Sequence, residues 1–212
     1  MRITVFGATG NVGRRVVTEA LGRGHEVTAV LRDSAKAHGF PPTVAIAEGD
    51  ARDPKAVARI ADGQDLVVAA TRPAPGSEHE LPAATRGLLT GLAGTGVRVL
   101  AVGGAGSLTV PGTGGATVLD DPAFPDAIRA IALACGEQLD LYRAEAEVDW
   151  TYLSPAALLE PGERTGRFRL GRDELLVDAD GASAISMEDL AVALLDEAER
   201  PTHRRLRFTA AY

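Results

Sequence analysis

A single cysteine, Cys135, is all the thiol this chain contains. That excludes an internal disulfide framework and a multi-cysteine metal site. Cys135 falls on the helical spacing Ile128, Ile131, Cys135, Leu139, Tyr142, which reads it as a small buried hydrophobe. Basic charge is also short: 22 Lys and Arg face 29 Asp and Glu, giving a formal net charge of -7, and the basic residues are scattered. A nucleic-acid surface needs clustered cations, so no nucleic-acid partner is expected. No apolar run approaches the ~18 residues that span a bilayer, and Met1 leads directly into a strand without a signal-peptide pattern. The expectation is a soluble cytoplasmic protein with no membrane partner, a monomer or a homodimer. Internal repeats and Pro- or Ser-rich linkers are missing too. The 212 residues, 45% of them hydrophobic, therefore read as one domain with one sizeable core.

What the chain does have is glycine in an informative place. Val5-Phe6-Gly7-Ala8-Thr9-Gly10-Asn11-Val12-Gly13 directly follows Met1-Arg2-Ile3-Thr4. Ile3, Val5 and Phe6 read as a buried strand, and Val12, Val16, Val17, Ala20 and Leu21 then recur at helical spacing. Glycines at such a strand-to-helix turn let backbone N–H groups and a helix N-terminus hold a pyrophosphate. The spacing is G-x-x-G-x-x-G rather than G-x-G-x-x-G, but the strand before it and the helix after it supply the context that a lone glycine triplet lacks. Gly7, Thr9, Gly10, Asn11, Val12 and Gly13 are therefore candidate cofactor-binding residues.

Strands and helices alternate along the chain. Gly24 marks the end of the first helix, Glu26 to Leu31 is a second strand and Val44 to Ala47 a short third. Asp53-Pro54 opens a helix with Asp at the N-cap and Pro at the first helical position. Asp65 to Ala70 is a fourth strand, Leu81 to Ala93 a helix, Val97 to Val102 a fifth strand, Phe124 to Glu147 a long helix and Trp150 to Leu153 a sixth strand. Near-continuous apolar strands alternating with helices predict a Rossmann-like α/β fold, a doubly wound parallel sheet with its ligand crevice beyond the strands' carboxyl ends. From about Pro155 the texture changes. Arg167 to Leu170 and Glu174 to Val177 suggest a hairpin around Gly171-Arg172, and Ser186-Met187-Glu188-Asp189 reads as a capping box before a helix. Leu206 to Thr209 looks like a closing strand, so residues 155–212 are expected to form a small substrate-side lobe of the same domain. Two Gly- and Pro-rich loops, Thr71 to Glu80 and Gly103 to Pro122, follow strand carboxyl ends.

Arg32 closes the second strand, where Asp or Glu commonly holds the ribose 2'-hydroxyl of NAD and Arg accommodates the 2'-phosphate of NADP. A guanidinium grips a phosphate dianion bidentately, which favours NADP, with NAD the alternative. Lys36 adds charge to the same pocket if a helical turn begins at Asp33. Two readings of Asp50 stand: acceptor for the adenine amino group, or cap of the loop before Pro54. Ala69, Ala70 and Thr71 are small enough to let a cofactor approach the end of the fourth strand.

Phe6-Gly7-Ala8-Thr9-Gly10-Asn11-Val12-Gly13, Val30-Leu31-Arg32-Asp33-Ser34, Gly49-Asp50 and Gly63-Gln64-Asp65 together resemble the atypical short-chain dehydrogenase/reductases. Asp149-Trp150-Thr151-Tyr152-Leu153-Ser154-Pro155-Ala156 and Glu160-Pro161-Gly162-Glu163-Arg164-Thr165-Gly166 are similar to the NADH-flavin reductase and biliverdin reductase B-like branch. The resemblance covers essentially the whole chain and implies a Rossmann fold, NADP or NAD, and hydride transfer to flavins or related conjugated acceptors. It also implies that the loop Gly103-Gly104-Ala105-Gly106-Ser107 runs beside the nicotinamide, with Gly103 and Gly104 as cofactor contacts. Ser107 is then either a polar contact to nicotinamide or substrate, or a loop hydrogen-bonder.

The chain departs from the wider family at the Tyr-x-x-x-Lys pair. The matching positions fall near Arg129 and Leu133, and Tyr142 is followed four residues later by Ala146. Tyr142 is a candidate acid/base, against a core role on the apolar stripe. His79 is a proton donor in the crevice or a solvated loop residue, and the Gly112-Thr113-Gly114-Gly115 stretch suits a lid. The expected function is an NAD(P)H-dependent reductase of a flavin-like or other conjugated small molecule. The alternatives are a non-catalytic NADP-sensing regulator and a specialised-pathway tailoring enzyme on the same scaffold.

Overall fold

Four central strands are mostly apolar and, apart from Arg2 at the start of the first and Val102 at the end of the third, buried along their length, because helices cover both sides of the sheet they form. The computed structural model describes residues 1–212 except Ser34, Lys36 and His38. In chain order it contains β1 (Arg2–Phe6), α1 (Asn11–Gly22), β2 (Glu26–Leu31), β3 (Ala45–Glu48), α2 (Pro54–Ala61), β4 (Leu66–Ala69), α3 (Glu80–Leu92) and β5 (Arg98–Val102). There follow α4 (Asp126–Ala144), β6 (Trp150–Ser154), β7 (Leu158–Glu160), β8 (Arg169–Gly171), β9 (Ala184–Ser186), α5 (Met187–Glu199) and β10 (Leu206–Ala211). The main sheet runs β3-β2-β1-β4-β5-β6-β10-β8, parallel throughout except for β8 against β10. This is the doubly wound order expected from the alternation, with the switch point between β1 and β4. Strands β7 and β9 pair separately.

The two faces bury different cores. Ile3, Val5, Val68, Leu100 and Leu153 meet the side carrying α1 and α5, whose faces also pack on each other. Phe6, Val67, Val99 and Tyr152 meet the side carrying α2, α3 and α4. Among the described residues no helix is long and apolar enough to cross a membrane.

The element boundaries follow local chemistry. Gly24 adopts φ +77° beyond α1; its N–H bonds the Leu21 carbonyl and that of His25 bonds Ala20, a Schellman ending that the left-handed glycine makes possible. Asp53 caps α2 by accepting the Lys55 N–H at 2.9 Å, with Pro54 as the first helical residue. The third strand lies one residue later than its apolar run, since the Val44 N–H is used in a turn to Pro41. The long helix starts at Asp126 rather than Phe124, because Pro125 disfavours helix in the residue before it.

Two expectations need correction. Residues 174–177 do not pair with 167–170 as a hairpin: β8 pairs with β10, and Glu174 bridges Thr109. Glu174 and Leu175 are drawn to Thr109 instead, the Leu175 N–H bonding the Thr109 carbonyl at 2.8 Å, which leaves β8 to pair with the closing strand. The capping box at α5 is half formed. Ser186 accepts the Asp189 N–H at 2.9 Å, but the Asp189 carboxylate turns instead to the Gly166 N–H and to the Thr165 and Tyr212 hydroxyls. Fully buried, it fastens the 160s loop and the C-terminus to the helix start.

Helix α3 lies on α2 and its entry loop with no clearance. A Cβ on Gly87 would stand 2.2 Å from the Ala51 carbonyl oxygen, and one on Gly91 2.6 Å from that of Pro54. Gly87→Ala and Gly91→Ala should each lower unfolding free energy by about 2 kcal/mol, measured by urea denaturation. At the opposite end of the sheet, Arg98 meets buried Glu197 at 2.6 Å. Burial opposes ionisation of Glu197, but bonds from the His203 N–H, Arg98, the His203 ring and Thr202 outweigh it and hold the pKa down from 4.5 to about 2. A depressed carboxyl contributes stability above its unfolded pKa and loses it as pH falls through the folded one. Thermal melts should therefore decline between pH 4.5 and about 2, and Glu197→Gln should lower stability at neutral pH by about 3 kcal/mol while flattening that decline.

Candidate functional site

Beyond the carboxyl ends of β1, β2, β3 and β4 lies a crevice of about 300 Å³, at the switch point where the strand order reverses. Its walls include Gly7, Thr9 and Gly10 after β1, Arg32 and Asp33 after β2, Gly49, Asp50 and Arg52 after β3, Ala70, Thr71 and Arg72 after β4, and Glu80 and Leu81 opening α3.

Gly7 has φ +79°, and a Cβ there would stand 2.3 Å from the Ala70 carbonyl oxygen. Gly13 is buried, and its Cβ would fall 2.1 Å from the Gly7 carbonyl. The turn thus presses backbone against backbone, and α1 begins close over the end of β1. Gly10 is the N-cap of α1, no side chain caps that end, and no acidic residue occupies the first turn. The N–H groups of Asn11, Val12 and Gly13 have no acceptor inside their own helix, and no carboxylate of that turn offsets the positive helix end. Such a cradle fits a pyrophosphate.

Comparison with known proteins agrees with this geometry. The family model described as NAD(P)H-binding matches residues 7–201. The chain belongs to this NAD(P)H-binding family. Its cofactor is a nicotinamide dinucleotide. The uncharacterized protein YwnB of Bacillus subtilis is 41% identical over 211 residues, 99% of this chain and 97% of that protein. A solved structure of a candidate exported protein from Burkholderia pseudomallei is 42% identical, with TM-score 0.89 and full coverage of both chains. That of SP1627, a candidate NADH-flavin reductase of Streptococcus pneumoniae, is 33% identical with TM-score 0.88, covering 100% of this chain and 99% of that one.

The crevice gathers Gly7, Thr9, Gly10, Arg32, Asp50, Ala70 and Thr71. Asn11, Val12 and Gly13 form the adjoining first turn of α1. Asp50 caps its loop, accepting the Arg52 N–H at 2.8 Å, and grips the Arg52 guanidinium at 2.6 Å. Those bonds, the guanidinium above all, hold its carboxyl below the usual range. Arg32 is mostly exposed and reaches Glu80 at 3.5 Å rather than Asp33, which accepts the Ala35 N–H. Lys36 lies outside the described residues. Arg52, Arg72 and Glu80 also line the crevice and were not foreseen. Arg52 was discoverable as the cation two residues past Asp50 at the end of a strand; Glu80 was not, since only the packing of α3 brings it there.

Gly103 and Gly104 lie one strand over, at the end of β5, outside the walls of this crevice. Their lack of side chains answers first to packing: the Tyr152 ring stands where a Gly103 Cβ would, and Cys135 comes within 3.0 Å of one on Gly104. Cys135 is half-buried, and its burial pushes the thiol up to about 11, an inert group. Ser107 is held by Arg207, whose guanidinium donates to the Ser107 hydroxyl oxygen at 2.9 Å and to its carbonyl at 3.1 Å while pairing with Asp173. The contact uses a lone pair and leaves the hydroxyl hydrogen as a donor.

Tyr142 is corrected from candidate acid/base to core residue. It is fully buried between Trp150 and Tyr152, and burial alone drives its pKa well up, so its proton has no route to the crevice. Arg129 is committed to the carbonyls of Leu119 and Phe124, and Leu133 is exposed. His79 is an exposed residue at the N-cap of α3.

Gly7→Ala should cost about 3 kcal/mol of stability through clash and positive φ. Gly10→Ala, whose Cβ would be no nearer than 3.2 Å to the Gly7 carbonyl, should stay within about 1 kcal/mol of wild type. Nicotinamide fluorescence titration should show both variants losing cofactor affinity at least about tenfold, because each moves backbone donors off the phosphates.

Proposed function

We propose that the protein is an NADPH-dependent oxidoreductase that reduces a flavin-like or other conjugated small molecule. The observation that carries the reading is a cofactor crevice with Arg32 at the end of β2, combined with a helix α4 that offers no acid/base pair to the reacting end. Carbonyl reduction needs a group to protonate the alkoxide as it forms. A conjugated acceptor spreads the incoming charge and takes its proton from solvent, so orientation is the main demand on the protein. When bound, NADPH supplies the hydride. Gly7, Thr9, Gly10, Asn11, Val12 and Gly13 hold its pyrophosphate, Arg32 its 2'-phosphate, and Asp50, Ala70 and Thr71 line the adenosine side. Gly103, Gly104 and Ser107 frame the nicotinamide side, where the Ser107 hydroxyl, polarised by Arg207, donates a hydrogen bond to an acceptor oxygen.

The whole chain acts as one domain, with residues 155–212 building the substrate side. The likeness to the candidate NADH-flavin reductase of Streptococcus pneumoniae supports the choice of acceptor. A cytoplasmic setting, where reduced nicotinamide is regenerated, suits this chemistry; the exported designation of the Burkholderia relative is the rival that cell fractionation decides.

NADPH oxidation with FMN, FAD, biliverdin and quinones should exceed background for at least one acceptor, and none doing so would overturn the reading. Arg32→Ala should weaken NADPH roughly tenfold to a hundredfold and leave NADH within about twofold, as expected for loss of a charge-assisted phosphate contact. Equal losses would remove the assignment of the 2'-phosphate to Arg32.

A further inference from the structure

The adenosine end of the crevice is spanned by a chain of four charged side chains drawn from three separate segments, the turns after β2 and β3 and the first turn of α3. Asp50, just past β3, holds the Arg52 guanidinium by three contacts, Nη2 to Oδ2 at 2.6 Å and Nε to both carboxylate oxygens at 3.0 Å. The remaining arm of Arg52 meets Glu80 Oε1 at 2.9 Å, and Glu80 Oε2 faces Arg32 Nη1 at 3.5 Å. All four line the crevice, with Asp33 and Arg72 completing its charged residues. Three cations are thus balanced by three carboxylates, and Glu80 occupies the space between the two guanidiniums nearest the end of β2.

We infer that Glu80 is a specificity-determining residue that competes with the cofactor's 2'-phosphate for Arg32 and Arg52 and so restrains the preference for NADP over NAD. The inference rests on the proposed assignment of the 2'-phosphate to Arg32. A phosphomonoester dianion entering beside Glu80 meets a like charge, whereas a ribose 2'-hydroxyl there finds a hydrogen-bond acceptor. The two links of Glu80 differ in strength. The Arg32 contact is long and its side chain 69% exposed, the kind of pair that contributes little and yields to a better anion. Arg52 is anchored from the other side by Asp50 and stays in place when Glu80 withdraws. Arg52 then serves as the second, fixed cation for the phosphate, a role that a freely rotating surface arginine fills only at an entropic cost.

The test compares adenosine 2',5'-bisphosphate with adenosine 5'-monophosphate by calorimetric titration, which isolates this end of the site and needs no turnover. Glu80→Gln keeps the shape and removes the charge; its affinity for the bisphosphate should rise about tenfold, with the monophosphate unchanged or weaker. Glu80→Ser, a residue suited to a helix start, should shift the ratio the same way and guards against a folding defect of the first variant, checked by thermal melt. Arg32→Ala run alongside separates the failures. If it weakens the bisphosphate selectively while both Glu80 variants leave the ratio unchanged or lower it, the NADP assignment stands and the role of Glu80 falls. If Arg32→Ala weakens both ligands equally, both fall.

Discussion

Backbone pressed against backbone at the turn between β1 and α1 is the constraint on which the rest of the structure depends. Gly7 abuts the Ala70 carbonyl at the end of β4, and Gly13 abuts Gly7. These contacts hold α1 close to the sheet and aim its uncapped N-terminus across the carboxyl ends of the strands. They also pin the junction between β1 and β4, where successive crossovers depart to opposite faces and leave the crevice between them. A side chain at Gly7 or Gly13 displaces the helix start, and the phosphate cradle and the local sheet packing are lost together. Affinity for the cofactor and integrity of the fold are therefore not separable at these two positions, while at Gly10 they are.

Charge is distributed along the crevice in a way that divides its work. The middle, over α1, carries an unmatched helix end and backbone donors, an arrangement that suits any dinucleotide pyrophosphate. The outer end carries Arg32, Arg52, Asp50 and Glu80 linked by ion pairs, so an anion entering there meets cations that already have partners. At β5 and β10 the arrangement changes again: Arg207 is buried and locked to Asp173 and Ser107, which fixes the loop where a reacting group would be oriented. Elsewhere, Arg98–Glu197 ties α5 to β5, and Glu19–Arg164 ties α1 to the segment after β7, without approaching the site.

Much of the sheet was legible in the chain because parallel strands covered on both faces leave continuous apolar runs: β2 matches its run from Glu26 to Leu31, and β4, β5 and β6 differ from theirs by at most one residue at an end. Helix ends with their own chemistry, such as Gly24 and Asp53-Pro54, were equally plain. The segment after Pro155 was harder. Its strands are only three residues long apart from the last, and their patterns did not reveal that β8 answers to β10 rather than to residues 174–177. Asp189 completes the spacing of a capping box, yet its carboxylate is claimed by partners more than twenty residues away, which no local pattern encodes.

The site divides along the same line. The glycine turn, its strand and helix, Arg32 and the missing Tyr-x-x-x-Lys pair are contiguous or evenly spaced features, and by themselves they determined a nucleotide-binding α/β protein without the usual acid/base pair. Burial of Tyr142, the grip of Arg207 on Ser107, and the meeting of Arg52 and Arg32 at Glu80 were decided only by tertiary structure. Each of these depends on how crossovers bring distant segments into register, and the energies of such contacts are set by burial and partner geometry, which residue order alone does not specify.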